Sequence, residues 1–432
     1  MINHPDRISL HNEVHARPRP ALAGSYRISH VALLRDCAAA DAPAALRELC
    51  LAHHVTPPDP ALPHHFADFG AYRLKWERHG EFDDYTVYAV GADPARPFEQ
   101  TALQSLPQGW ASSLPGRVIA AVHVCLIAAP APAPGTDRVA EMLGSEEVLG
   151  SGIADGAGAV FTDLRLGADG FSRFLMFNHA LTVNQAGREV QRVIELEVYR
   201  LMAMLGFPVA RATARELDGA ERALGELVAR LETAHADDEP ALLHEVTRLA
   251  AVVERLAGTS SFRFSASRAY HALVHQRGAE LRELRIPGVQ PVTGFLERRF
   301  GPAMAFCESV SGRLDAAAQR VLRASALLRT RVEIEREQQN QDMLAAMNRR
   351  AQMQLRLQQT VEGFSVAAIT YYATGLAGYV FKAAKAAGAP IDTDLATGLV
   401  VLPIAVAVAL GVRHLRHAIM SRLKREAAPP LH

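Results

Sequence analysis

His11, Glu13 and His15 alternate near the N-terminus, so on an extended strand all three side chains point to one side. Imidazole and carboxylate ligate zinc and other transition metals, which makes the triplet a candidate for metal chemistry. Ligands this close in sequence rarely converge on one ion unaided. In the plainer reading, Asn12, Glu13, His15 and Arg17 hydrogen-bond to the edge of the following domain and pin the arm. In a third reading, His11, Asn12, Glu13, His15 and Arg17 bind another ligand. A second cluster, His53-His54 and His64-His65, brackets Pro57-Pro58-Asp59-Pro60. It has metal-binding chemistry too, although solvated loop histidines are commoner. No Gly-rich phosphate loop, G-x-S-x-G elbow or H-E-x-x-H pair occurs. No catalytic residue, metal or cofactor is therefore assigned, and the reading leans against an enzyme.

A third set lies near the C-terminus. Gly363, Ala367, Thr370, Thr374 and Gly378 share one face if their segment is helical. Small residues let helices approach closely in lipid, and threonine hydroxyls can bond across the contact. The same face can instead line a narrow pore, where hydroxyls and carbonyls meet a hydrated ion. Asp392 and Asp394 stand just before the next apolar stretch. There they cap a helix or, as a ring at a pore mouth, concentrate cations.

The elements that carry this last set are two uncharged stretches, Gly363–Phe381 of 19 residues and Leu395–Val412 of 18. Each is about long enough to cross the hydrocarbon core of a bilayer as a helix. Arg349, Arg350 and Arg356 precede the first, and Arg413, Arg416, Arg422, Lys424 and Arg425 follow the second. The tip between them has Lys382 and Lys385 offset by Asp392 and Asp394. The positive-inside tendency then predicts an inner-membrane hairpin with both termini cytoplasmic. The N-terminal segment lacks an apolar h-region, so no secretory signal is expected. The basic tail fits contact with anionic lipid. The chain has 46 basic and 46 acidic side chains, which gives no general attraction to nucleic acid. Cys37, Cys50, Cys125 and Cys307 are scattered without a C-x-x-C pair, as expected of buried thiols in a reducing compartment.

Ahead of the hairpin the pattern predicts an α+β body. Candidate strands are Tyr26–Leu34, Gly70–Arg78, Phe82–Val90, Arg117–Ile127, Val148–Ile153, Ala159–Arg165 and Gly170–Phe177, with Ala42–Ala52 helical. Gly167-Ala168-Asp169-Gly170 reads as a hairpin turn, and Ala128–Pro134 as a surface loop. From Arg188 the period becomes helical: Val190, Ile194, Val198, Leu201 and Leu205; Leu217, Leu224, Leu227 and Leu231; Leu242, Val246, Leu249, Val253 and Leu256. Gly206-Phe207-Pro208 and Asp237-Asp238-Glu239-Pro240 separate these stripes, and a further helix is predicted over Ser265–Arg285. Arg313–Glu362 contains neither Gly nor Pro and reads as one long helix that passes directly into the first span. Its seam Leu314, Ala317, Val321, Ala324 and Leu328 resumes out of phase at Leu344, Met347, Ala351, Gln354, Gln358 and Val361. Such a stalk needs neighbours, either the segment Arg188–Arg285 folded back or other subunits in a coiled coil. The expected divisions are an N-terminal arm (1–25), an α/β domain of about seven strands (26–183), a helical domain (184–290), a stalk (291–362), the hairpin (363–412) and a basic tail (413–432).

Two motifs carry a resemblance. His4-Pro5, Arg7, Leu10 and Asn12-Glu13-Val14-His15-Ala16-Arg17-Pro18 resemble the opening signature of a bacterial family of membrane-anchored proteins, domain-of-unknown-function family 3422. Gln358-Gln359-Thr360-Val361-Glu362-Gly363-Phe364-Ser365-Val366-Ala367-Ala368-Ile369-Thr370-Tyr371-Tyr372, then Gly375-Leu376-Ala377-Gly378-Tyr379, is similar to its C-terminal signature. This resemblance implies a topology and no catalytic activity. In outline the chain also looks like the CorA-type magnesium channels, pentamers whose first span lines the pore and ends in Gly-Met-Asn. Here that stretch reads Gly378-Tyr379-Val380, so magnesium selectivity is not implied. The expectation is a CorA-like homo-oligomeric channel or transporter, with the bilayer and a divalent cation as partners. The alternative is a membrane-anchored scaffold or sensor whose cytosolic domain binds a ligand or a protein.

Overall fold

The computed structural model describes residues 3–4, 6–7, 11, 19–35, 43–60, 62–235, 238–388, 390 and 392–426. It divides into two units, Met1–Leu328 and Arg329–His432. The architecture is α+β. Among the described residues of the first unit, nine strands form one sheet: β1 Tyr26–Leu34, β2 His64–Asp68, β3 Tyr72–Arg78, β4 Phe82–Val90, β5 Arg117–Ala128, β6 Leu149–Ile153, β7 Gly158–Leu166, β8 Ser172–Asn178 and β9 Leu284–Arg285. Their order is β2-β3-β4-β1-β5-β8-β7-β6-β9. The β5–β8 pair is parallel and the other pairs are antiparallel. The seven anticipated strands are present within a few residues. The two that were not anticipated, β2 and β9, are short edge strands, and so few residues carry little alternation.

The helices are α1 Ala44–Ala52, α2 Thr136–Leu143, α3 Val183–Met204, α4 Gly206–Thr233, α5 Glu239–Glu280, α6 Val292–Arg299, α7 Gly301–Ala386 and α8 Thr393–Glu426. Both faces of the sheet are covered. On one face, Leu46, Leu49 and Cys50 of α1 pack with Leu74, Trp76, Tyr85 and Val87. Val139, Met142 and Leu143 of α2 pack with Cys125, Ile127, Phe161 and Leu175. On the other face, Val190, Ile194, Val198 and Met202 of α3 meet Ile28, Val122, Val124, Phe174 and Met176. Each such side chain contributes about 1.5–3 kcal/mol when fully buried. Cys50, Cys125 and Cys307 are buried free thiols, and Cys37 lies outside the described residues.

The start of α3 has a reciprocal cap. The Gln185 N–H donates to Thr182 Oγ1 at 3.4 Å, and the Thr182 N–H donates to Gln185 Oε1 at 2.9 Å. The break expected at Gly206-Phe207-Pro208 is the junction of α3 and α4. Pro208 sits in the first turn of α4, where its missing N–H costs nothing. One expectation is corrected here. The helix predicted over Ser265–Arg285 is the C-terminal part of the single 42-residue α5 and ends at Glu280. Leu284 and Arg285 instead pair with Gly152 and Ser151 as β9, after a left-handed turn at Arg282 with φ of 48°.

The predicted stalk begins as two helices, α6 and then α7, which runs without interruption through Gly363 to Ala386. Its first seam, Leu314, Ala317, Val321, Ala324 and Leu328, is buried against Leu217, Leu224 and Leu227 of α4 and Leu242, Val246 and Leu249 of α5. Folding back of the middle helices therefore supplies the neighbours for this half. In the second unit, Leu344, Met347, Ala351, Gln354, Gln358 and Val361 are all exposed. Helices α7 and α8 contain the two stretches long and apolar enough to cross a membrane.

Gly187 of α3 marks a close approach of the incoming chain. A Cβ there would collide with the carbonyl oxygen of Pro20, just where the Leu22 N–H donates to Val183 O at 3.0 Å. Gly187→Ala is expected to lower stability by about 1–3 kcal/mol in thermal or denaturant unfolding. Gly219→Ala in α4, where nothing lies within 4 Å, is expected to raise it by up to about 1 kcal/mol.

Candidate functional site

On β3, Leu74 and Trp76 enter the core beneath α1, and the intervening Lys75 and Glu77 face the opposite way. The antiparallel register sets Lys75 beside Thr86 and Glu77 beside Asp84 on β4, and His30 of β1 beside Thr86 from the other side. His79 follows β3 in the hairpin turn, where its N–H donates to Phe82 O at 2.8 Å and its ring stacks on that of Phe82 at 4.3 Å. Helix α3 closes over this face with Gln191, Ile194, Glu195, Val198 and Tyr199. The result is a cavity of about 20 Å³, room for one water or one ion. His30 is 3% exposed, Lys75 3%, Glu77 5% and Asp84 6%.

The polar contacts are directional. Lys75 Nζ donates to Glu77 Oε2 at 2.7 Å, His79 Nε2 pairs with Asp84 Oδ2 at 3.0 Å, and His30 Nδ1 meets Thr86 Oγ1 at 2.8 Å. Among the described residues, Glu77 Oε1, Asp84 Oδ1 and His30 Nε2 have no partner. One ligand atom each from Glu77, His79 and Asp84 lies within 4.8 Å of the others, a grouping suited to a metal ion. On the rim, Glu195 accepts from Gln191 at 2.6 Å and pairs with Arg277.

Burial sets the electrostatics. It lowers the pKa of His30 to about 4 against the opposing field of Asp84. Burial, then Asp84, raises Glu77 despite Lys75. For Asp84 burial works against the charged form, but the His79 hydrogen bond and the positive field of its neighbours outweigh it and the pKa is lowered.

The opposite face holds a Ser–His–Asp arrangement. Ser29 Oγ lies 2.9 Å from His123 Nδ1, and His123 Nε2 lies 3.8 Å from Asp169. It lacks the access a nucleophile needs. Ser29 is buried, its Oγ accepts the Leu103 N–H at 3.0 Å, and Phe171 stacks on the imidazole at 4.0 Å. Burial, partly opposed by Asp169, also lowers the His123 pKa to about 4. A separate cavity of about 350 Å³ is lined by His271, His275, Glu283, Thr293 and Phe300. Its two imidazoles, one turn apart on α5, bring their Nε2 atoms to 3.0 Å.

The residues singled out from the sequence fall elsewhere. His11 is exposed, and Asn12, Glu13, His15 and Arg17 lie outside the described residues. His53 and His54 are exposed at the end of α1, whereas His64 and His65 sit on edge strand β2 and not in a loop. In the second unit, Thr370 and Thr374 donate their hydroxyls to Val366 O and Thr370 O of their own helix, each at 2.7 Å. A Cβ on Gly378 would touch Thr397 of α8 at 3.6 Å. Gly363 and Ala367 are exposed. Asp392 Oδ1 accepts the N–H groups of Asp394 at 3.1 Å and Leu395 at 3.3 Å, a cap on α8. Asp394 lines a groove of about 780 Å³ between the two apolar helices, with Thr374, Gly378, Lys382 and Thr397.

The buried cluster has a signal in the sequence. Lys75, Glu77 and His79 alternate with apolar Leu74 and Trp76. A strand whose apolar face is this large is buried, so its charged face demands an explanation.

A family model described as protein of unknown function (DUF3422) matches residues 2–419, and the chain belongs to that family. Searches of curated proteins and of solved structures give no match, and no similarity to CorA-type channels emerges.

The two histidines lowered to about 4 make stability pH-dependent. Between that value and the unfolded value of about 6.5 the unfolded chain binds more protons, so stability falls as pH drops through this window. Going from pH 7 to pH 5 is expected to cost about 2 kcal/mol per ring. Melting curves across this range are expected to show the loss, and His30→Gln to flatten the slope.

Proposed function

We propose that this protein is a membrane-anchored sensor or scaffold whose water-facing body binds a ligand, with the two apolar helices as its tether. The observation that carries this reading is the charged cluster buried beneath α3 against a largely apolar core. Ionisable groups are held in such places at a cost, and function is a frequent reason for it. The distribution of basic residues around the apolar stretches favours the bacterial inner membrane, with both termini cytoplasmic. The exposed apolar positions Leu344, Met347 and Val361 of α7 favour a homo-oligomer paired through that helix.

Two features of the hairpin support its role as a tether. The hydroxyls of Thr370 and Thr374 are spent on their own helix, and Gly378 faces the second apolar helix at packing distance. A second reading, a CorA-like oligomeric channel for a divalent cation, draws on Thr374, Lys382, Asp394 and Thr397, the polar side chains in an otherwise largely apolar groove.

Reconstitution separates the two. Liposomes containing the purified protein are expected to pass divalent cations no faster than empty ones, and the protein is expected to resist carbonate extraction from membranes. A flux that Thr374→Leu abolishes would sink the tether reading in favour of the channel.

A further inference from the structure

We infer that Glu77, His79 and Asp84 hold a divalent first-row transition-metal ion beneath α3, with Lys75 as a positioning residue. This rests on the ligand-binding reading above and names its ligand.

Three independent observations converge on it. The first is geometry: the three donor groups come from one hairpin, and their ligand atoms lie within 4.8 Å of one another. An ion at bond lengths of about 2.0–2.2 Å reaches all three after small side-chain adjustments. The second is the set of unused atoms. Glu77 Oε1 and Asp84 Oδ1 each retain free lone pairs while the other oxygen of each carboxylate is bonded. His30 Nε2, on a ring that is 3% exposed, lines the same cavity and has no partner among the described residues. Leaving such atoms unpaired in the interior is costly, and one ion would satisfy both carboxylate oxygens together.

The third observation is size. A cavity of about 20 Å³ has room for one ion or one water and fits a small ion better than an organic ligand. A small cavity also suits magnesium poorly, because that ion usually retains several of its waters. Imidazole combined with carboxylate suits zinc, iron or manganese better than calcium, which takes six to eight oxygens.

The neighbours behave as supporting groups. Lys75 grips Glu77 Oε2 at 2.7 Å and so turns Oε1 toward the cavity. The stack of His79 on Phe82 fixes the imidazole plane. On binding, the His79–Asp84 hydrogen bond is exchanged for two bonds to the ion, and the Nε2 proton moves to Nδ1 or to solvent.

The test uses the full chain in detergent, stripped with chelator and then exposed to Zn²⁺ or Co²⁺ alone. One equivalent per chain is expected to survive desalting, with Co²⁺ giving the visible bands of a low-coordinate site. Glu77→Gln and Asp84→Asn are each expected to weaken binding at least tenfold. His275→Ala, which breaks the more exposed imidazole pair on α5, is expected to leave it unchanged. Lys75→Met, which frees the Glu77 carboxylate from its orienting partner, is expected to melt lower without metal and to gain less from Zn²⁺ than the parent, which the loss of a purely structural ion pair would not do.

Absence of retained metal overturns the inference, as does binding that survives Glu77→Gln and Asp84→Asn or disappears with His275→Ala. If the two carboxylate variants do not fold, the comparison of parent with His275→Ala and Lys75→Met decides. A protein that neither retains metal nor conducts ions loses this inference and keeps the tether reading, whereas Thr374-dependent flux removes the tether reading whatever the metal content.

Discussion

Lys75, Glu77 and Asp84 are held out of water by α3, and the desolvation of each charge costs several kcal/mol. The arrangement of this part of the molecule follows from that cost. Lys75 and Asp84 stand on neighbouring strands in a register that lets each reach an opposite charge or an imidazole. The helix above contributes Glu195 already balanced by Arg277, so it adds little uncompensated charge. A slip of one residue between β3 and β4 would turn Glu77 and Lys75 into the aromatic core under α1 and send Trp76 to the charged face. Register here is therefore specified from both sides of the sheet. The same burial explains why the pKa shifts within the cluster oppose one another and why its acid stability is tied to His30.

The sheet is a divider between two kinds of packing. Under α1 and α2 the core is aromatic and aliphatic, and its main polar insertion is the Ser29–His123 pair. Under α3 the core is polar at one end, where β3 and β4 meet β1, and apolar toward β5, β8 and β7. The middle helices extend the apolar part away from the sheet. Leu217, Leu249 and Leu328 belong to a separate cluster shared by α4, α5 and residues 314–328 of α7, which buries that stretch of the long helix within its own chain. Beyond Leu328 the same helix exposes its apolar residues, and beyond Glu362 it becomes uncharged as far as Phe381. A single helix thus carries three successive compositions: a buried apolar seam, an exposed mixed stretch and an uncharged stretch.

Much of this was legible in the residues. The strands Tyr26–Leu34 and Phe82–Val90, the turn at Gly167–Gly170 and the three helical stripes from Val190 to Leu256 appear where alternation or helical spacing placed them. Local signals suffice for such elements because side-chain periodicity is a property of one segment. The short strands His64–Asp68 and Leu284–Arg285 were not legible, since each exists only through pairing with a partner distant in sequence. The end of α5 at Glu280 was missed for the same reason: nothing before Pro287 forbids helix, and the pull of β6 on Leu284 is a tertiary effect.

The candidate site divides in the same way. By itself the sequence determined that the body is α+β, that two C-terminal helices are apolar enough to cross a membrane, and which family signatures the chain carries, because periodicity, hydropathy and motif spacing are encoded locally. Only the tertiary structure decided that His30, Glu77, His79 and Asp84 line one cavity. Strand pairing brings His30 within reach of residues nearly fifty positions away, and a helix more than a hundred positions farther on removes the water. Neither the pairing nor the cover has a local signature, so only the fold turns the charged residues of this strand into a buried site.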